Sequence, residues 1–198
     1  MASLLSTTWN TRLLREGDFR FVRSDVPDRL SLSDLDWLLA HEITLAVDLR
    51  SPQECAARPC PLEQDPRFQY LHLPVATGDI VPHCFEDVPN NYLDMVDGQL
   101  VHILDTLWNA GRNAIYFCNA GKDRTGVVSA LLLQRMGASR QEIVDNYVLS
   151  AENLKTMLAE FVAKRPELKL EVVTPRAWTM EQFLDRVPDR LRDILQKA

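Results

Sequence analysis

Cys118 and Arg124 stand with five residues between them in the run Cys118-Asn119-Ala120-Gly121-Lys122-Asp123-Arg124-Thr125-Gly126. A cysteine that does chemistry does it as a thiolate. An arginine offers a planar fork of donors that matches two oxygens of a bound oxyanion. The residues ahead of Cys118 are apolar, as expected of a buried strand, and Val127, Val128, Leu131 and Leu132 behind it make an apolar helix. The residues between must turn tightly, and Gly121 relaxes the steric limits on that turn. Such a loop can aim several backbone N–H groups at one point, at the positive end of a helix dipole. That point binds an anion, and the same field favours a thiolate over a thiol. The chemistry expected is nucleophilic attack by sulfur on an oxyanion held by Asn119 to Arg124. Lys122 is then either a solvated charge or a contact for a second phosphate, and Asp123 either caps the helix or supplies a proton.

The elements that must position this loop are partly readable. Short β-type runs cover residues 19–23, 44–49, 70–73 and 114–118. Between them lie helical patterns. One, capped by Ser31 or Ser33, runs through Leu35, Leu38 and Leu39. A longer one carries Tyr92, Met95, Val96, Leu100, Ile103, Leu104 and Leu107, with its stop at Gly111. The apolar helix of residues 124–135 ends at Gly137, and others are expected at 140–148, 151–163 and 178–186, with Pro188 opening a short last one. Strands separated by helices predict an α/β fold: a mostly parallel central sheet flanked by helices, with the anion-binding loop between a core strand and a helix. Asp48 and Arg50, just past an apolar strand, are expected to form a structural pair supporting the loop, or else to lie at the lip of a cleft.

Length and composition set limits. The 198 residues predict one domain over 1–198, with residues 151–198 supplying C-terminal helices. A net charge of −6 gives no global attraction for nucleic acid, so any attraction for an anion must be local. No stretch is long enough to span a membrane and no secretory leader is visible, which predicts a cytoplasmic protein. Cys55, Cys60 and Cys84 match no zinc spacing and are expected as small buried hydrophobes. Trp9, Trp37, Trp108 and Trp178 are expected to serve packing. Residues 76–89 hold Gly78, Pro82 and Pro89 and read as a lid or entrance flap carrying Asp79, His83, Cys84 and Asp87.

Cys, five residues, Arg and Thr form the signature of the protein-tyrosine-phosphatase superfamily, and Gly121-Lys122-Asp123-Arg124-Thr125-Gly126 resembles the loop of its bacterial tyrosine and phosphoinositide phosphatase branch. Arg20-Phe21-Val22-Arg23-Ser24, Val47-Asp48-Leu49-Arg50-Ser51, Tyr92 with Met95, and Ile143-Val144-Asp145-Asn146-Tyr147-Val148-Leu149-Ser150 resemble other segments of these enzymes. The resemblance covers about residues 20–150. It implies hydrolysis of phosphomonoesters through a cysteinyl-phosphate on Cys118, with Arg124 and the loop amides stabilising charge. It also implies a Thr125 hydroxyl offered to the departing sulfur and Asp123 as general acid, with Asp79 and Asp87 in reserve. No metal or cofactor is called for, and the substrate would be phosphotyrosine, with phosphoserine, phosphothreonine or a phosphoinositide as further candidates. Two departures stand out. Phe117 replaces the histidine that usually precedes the nucleophile, and the early Asn-x-Arg-Asp segment is reduced to Asn10-Thr11-Arg12-Leu13. A phosphate-binding module without turnover, a sulfurtransferase and an arsenate reductase share parts of the pattern. Lys122-Asp123-Arg124-Thr125 matches the phosphatase loop better.

Overall fold

A computed structural model describes residues 3–77 and 82–195, with side chains to residue 192. Five strands form one sheet: β1 (Arg12–Arg15), β2 (Asp18–Asp25), β3 (Ile43–Asp48), β4 (Gln69–His72) and β5 (Asn113–Cys118). Nine helices are described: α1 (Leu32–Ala40), α2 (Pro52–Ala57), α3 (Val88–Asp94), α4 (Gly98–Asn109), α5 (Arg124–Arg135), α6 (Arg140–Asn153), α7 (Lys155–Ala163), α8 (Leu170–Val173) and α9 (Ala177–Leu195). The spatial order is β1-β2-β5-β3-β4; β1 is antiparallel to β2 and the other pairs are parallel. This is the α/β class with a mostly parallel sheet that the alternation of strands and helices predicts.

β5 lies in the middle, bonded to β2 on one side and β3 on the other. Its side chains alternate between two cores, as the two-residue period of a strand requires. Ala114, Tyr116 and Cys118 enter the larger core with α4, α5 and α9; Ile115 and Phe117 enter a second core with Leu38, Ile43 and Leu62. Both faces are therefore covered, which is why the run is apolar throughout. Phe117, where the resemblance expects a histidine, points away from the Cys118 side and makes its contacts in that second core.

Several sequence expectations need correction. β1 was not expected; four residues at a sheet edge leave little periodicity to read. The single helix expected from Tyr92 to Leu107 is two, α3 and α4. Asp97 caps the second by accepting a 2.8 Å bond from the Leu100 N–H, and Met95 and Val96 at the joint are fully buried. The last helix does not restart at Pro188, which lies inside continuous α9. The helix expected to end at residue 148 continues to Asn153. At α1, Ser31 and not Ser33 is the cap, closed by a capping box with Asp34.

Part of the expected flap is fixed. Residues 85–87 form a turn of 3-10 helix, Phe85 packs on Trp178 at 4.9 Å between ring centres, and Arg176 lies 4.7 Å over Phe85. Arg186 and Arg190 of α9 reach Asn90 Oδ1 and the Val96 carbonyl at 2.8 and 3.0 Å. Gly78 and Asp79 lie outside the described residues. Cys84 is exposed, against expectation, whereas Cys60 is buried.

Candidate active site

β5 delivers Cys118 to the sheet's C-terminal edge, and α5 begins six residues later at Arg124. Gly121 has φ +65°, and a Cβ there would lie 2.5 Å from the backbone of Ser24 and Asp25. Both the conformation and the close approach therefore require glycine. Behind the loop, the Val26 N–H donates to the Asn119 carbonyl at 3.3 Å. Arg23 Nη2 donates to the Gly121 carbonyl at 2.8 Å, and Asn10 Nδ2 donates to the Ala120 and Gly121 carbonyls at 3.1 and 3.0 Å. Asn10 and Arg23 are fully buried.

Cys118 and Arg124 line one cavity of about 520 Å³. Asn119, Ala120, Lys122 and Asp123 line it too; Met157, Phe161, Val172 and Val173 of α7 and α8 supply an apolar wall, and Arg58 and Arg165 add positive charge. Trp9 is also at this cavity and is 54% exposed, so packing does not account for it as the sequence suggested. With Asp25, Glu54 and Asp123 also in the lining, four cations face three carboxylates there among the described residues, a small local excess of positive charge on an acidic chain.

Arg124 is held by Glu54, a residue sequence reasoning missed. Its Nη1 and Nη2 meet the two carboxylate oxygens at 2.5 and 2.8 Å. Burial works against the Arg124 cation, but Glu54 and Cys118 more than offset it and raise its pKa above the ordinary range. Glu54 also meets a burial penalty, which Arg124 and Ser51 overcome to hold its carboxyl below the usual range. Glu54 also contacts the side-chain amide of Asn119. Of the guanidinium's three remaining N–H groups, the one on Nε is buried and has no partner among the described residues. With one fork on Glu54, the edge that includes Nε is not engaged by any of the described residues. The overlooked signal was Ser51-Pro52-Gln53-Glu54, a capping box with proline at the first helical position: Ser51 N–H donates to Glu54 Oε2 at 2.8 Å and Glu54 N–H to Ser51 Oγ at 3.3 Å.

Asp123 occupies the cap position of α5 but makes no capping bond. Its carboxylate accepts from Lys122 Nζ at 2.8 and 2.6 Å and from the Tyr92 hydroxyl at 2.6 Å. Tyr92 is 2.8 Å from the Tyr147 hydroxyl, and burial together with the Asp123 charge keeps the Tyr92 proton in place. Tyr92 is thus a fixed donor that aims one Asp123 oxygen. Thr125 Oγ1 is buried and has no partner among the described residues, so the bond to sulfur that the resemblance implies is not formed here.

Asp48 and Arg50 do not line the cavity. They form a fully buried pair at 2.5 Å behind α2, with Tyr70 donating to Asp48 and Arg50 Nη1 donating to the Arg58 carbonyl at 2.7 Å. They hold the end of the helix that carries Glu54. Asp87 is exposed, accepts from Cys84 Sγ at 2.9 Å and does not line the cavity; Asp79 lies outside the described residues. Among the described residues, no three His, Cys, Asp or Glu side chains gather as metal ligands, and no helix is long and apolar enough to cross a membrane.

Glu54→Gln keeps the shape of the side chain and removes the charge that anchors Arg124. It is expected to lower kcat/KM for an aryl phosphate by about 10²-fold, the scale of a misplaced binding group. Steady-state kinetics check this; an unchanged kcat/KM would show that Arg124 needs no such anchor.

A family model described as the tyrosine phosphatase family matches residues 7–196. The chain is 32% identical over 145 residues to a tyrosine-protein phosphatase of Nostoc commune, covering 68% of this chain and 49% of that one. It is 42% identical over 79 residues to the triple specificity protein phosphatase PtpB of Mycobacterium tuberculosis, covering 37% of this chain and 29% of that one. The chain thus spans about half the length of the first relative and under a third of the second. A human tyrosine phosphatase-like serine/threonine/tyrosine-interacting protein of known structure is similar over 91% of this chain and 97% of its own, with a TM-score of 0.48 and 16% identity.

Proposed function

The chain belongs to the tyrosine phosphatase family, and from that premise we propose that it hydrolyses phosphate monoesters, phosphotyrosine foremost, through a cysteinyl-phosphate on Cys118. The observation that carries this reading is one cavity lined by both Cys118 and Arg124, with Arg124 anchored by Glu54 and its Nε unpartnered among the described residues. Cys118 sulfur attacks phosphorus in line, and the bond from phosphorus to the leaving oxygen breaks as that oxygen takes a proton from Asp123. Arg124 and the loop amides of Asn119 to Arg124 stabilise the equatorial oxygens. Water then attacks phosphorus, gives its proton to Asp123, and the sulfur–phosphorus bond breaks with Thr125 donating to the departing sulfur.

An aryl ring suits the apolar wall of Met157, Phe161, Val172 and Val173. Lys122, Arg58 and Arg165 would serve the acidic surroundings of a phosphorylated protein, and a phosphoinositide is the second candidate for the same cations. A cytoplasmic setting fits chemistry that needs Cys118 reduced, and all four cysteines are free.

Hydrolysis of para-nitrophenyl phosphate tests the reading. Activity is expected to persist in excess chelator and to be lost with orthovanadate and, through thiolate oxidation, with peroxide. Loss on chelation that a divalent metal restores would contradict the mechanism, because loop and arginine are proposed to supply all the positive charge.

A further inference from the structure

We propose that Asn10, assisted by Arg23, is a positioning residue that locks the phosphate-binding loop with its N–H groups facing the cavity. The inference rests on the phosphate-ester reading above and concerns how that site is built. A trans peptide is planar, with C=O and the next N–H pointing in opposite directions. Each carbonyl held outside the loop therefore fixes one N–H on the inside. Val26 N–H holds the Asn119 carbonyl, which turns the Ala120 N–H inward. Asn10 Nδ2 holds the Ala120 carbonyl at 3.1 Å, which turns the Gly121 N–H inward. Asn10 and Arg23 together hold the Gly121 carbonyl at 3.0 and 2.8 Å, which turns the Lys122 N–H inward. Among the described residues, no amide from Ala120 to Asp123 has a protein acceptor of its own.

The Asn10 carboxamide has one orientation available. Its Oδ1 accepts from Arg12 Nη1 and from Asn153 Nδ2, the latter at 3.1 Å, so its Nδ2 must face the carbonyls and Ser150 Oγ. Its backbone is fixed as well: the Asn10 N–H donates to Asp25 Oδ1 at 2.8 Å and its carbonyl accepts from Arg12 Nη1 at 3.1 Å. A fully buried amide satisfied on both ends is a rigid brace. The brace acts where the loop is weakest. Rotating the peptide between Ala120 and Gly121 would put a carbonyl dipole into the cavity, and glycine is the residue that tolerates such a flip.

The test uses three folded proteins and two anions. In the wild type, amide NMR during a titration with inorganic phosphate should show the Ala120, Gly121 and Lys122 N–H signals moving together. Asn10→Asp keeps Oδ1 and removes both donors, and Asn10→Ala removes the whole group. Each is expected to melt cooperatively but below the wild type, because buried partners of Asn10 are left unpaired, and, where folded, to bind orthovanadate about 10- to 100-fold more weakly with a diminished response at Gly121, at or just below the scale for losing one oxyanion donor. Affinity within about twofold of wild type in either folded variant overturns the proposal. Should neither variant fold, the wild-type titration decides, and unmoved amides at saturating phosphate overturn it. A wild type that binds phosphate without hydrolysing esters would sink the proposed function while the affinities still decide the role of Asn10. A wild type that binds neither anion overturns both.

Discussion

Cys118→Ser is expected to lower aryl-phosphate turnover by roughly 10⁴-fold or more, the scale for removal of a covalent nucleophile. A serine hydroxyl at this position would need a base to take its proton, and none stands beside Cys118 on β5: Phe117 faces the opposite core and Asp123 is engaged by Lys122 and Tyr92. Binding should survive. The loop amides, Arg124 and Glu54 are untouched, so orthovanadate affinity is expected to stay within about tenfold of wild type. Paired kinetics and a binding titration make the measurement. Turnover within tenfold of wild type would remove Cys118 from the role of nucleophile. Joint loss of turnover and binding would assign it to the loop's shape.

Asp123→Asn is expected to slow esters with poor leaving groups by roughly 10²–10⁴-fold, the range for a positioned general acid. Esters of acidic phenols should suffer much less, because their leaving oxygen scarcely needs a proton. The surroundings of Asp123 sharpen the prediction. Lys122 Nζ bonds both carboxylate oxygens and Tyr92 donates to one, so the carboxyl is held beside the loop before substrate arrives. To act as the acid, the carboxyl must take a proton from solvent before the ester bond breaks, and a phosphate dianion that draws Lys122 away frees an oxygen to hold it. Tyr92, fixed through Tyr147, keeps the carboxyl aimed while this happens. The alkaline limb of the pH–rate profile should flatten in the variant. Equal slowing of good and poor leaving groups would make Asp123 a structural partner of Lys122. Asp87, exposed and away from the cavity, would be poorly placed to replace it.

What the sequence disclosed about this site is local, and what it hid is remote. Cys118, the tight turn at Gly121 and Arg124 lie on one strand, loop and helix whose apolar runs are long enough to read. Glu54 is 70 residues from Arg124 and sits on a six-residue helix with no buried side chain, so no hydrophobic period announces it. Only its capping box with Ser51 was visible. Asn10 reaches the loop across 111 residues, from a segment that looked like a degraded motif. The pattern of Tyr92, Met95, Val96 and Leu100 kept a helical spacing through the joint at Asp97, because both helices bury that side against the same core. Pro188 misled in the opposite sense: proline forfeits one helical bond and the apolar stripe of α9 continues regardless.

The central claim is a covalent phosphoryl group on Cys118, and the most direct measurement is to trap it. Wild-type protein mixed with para-nitrophenyl phosphate and quenched within a single turnover should yield, by mass spectrometry, one phosphoryl group on the peptide that contains Cys118. Cys118→Ser should show none. A phosphoryl group on any other residue, or steady hydrolysis with no phosphorylated peptide and no burst of released phenol, would contradict the account.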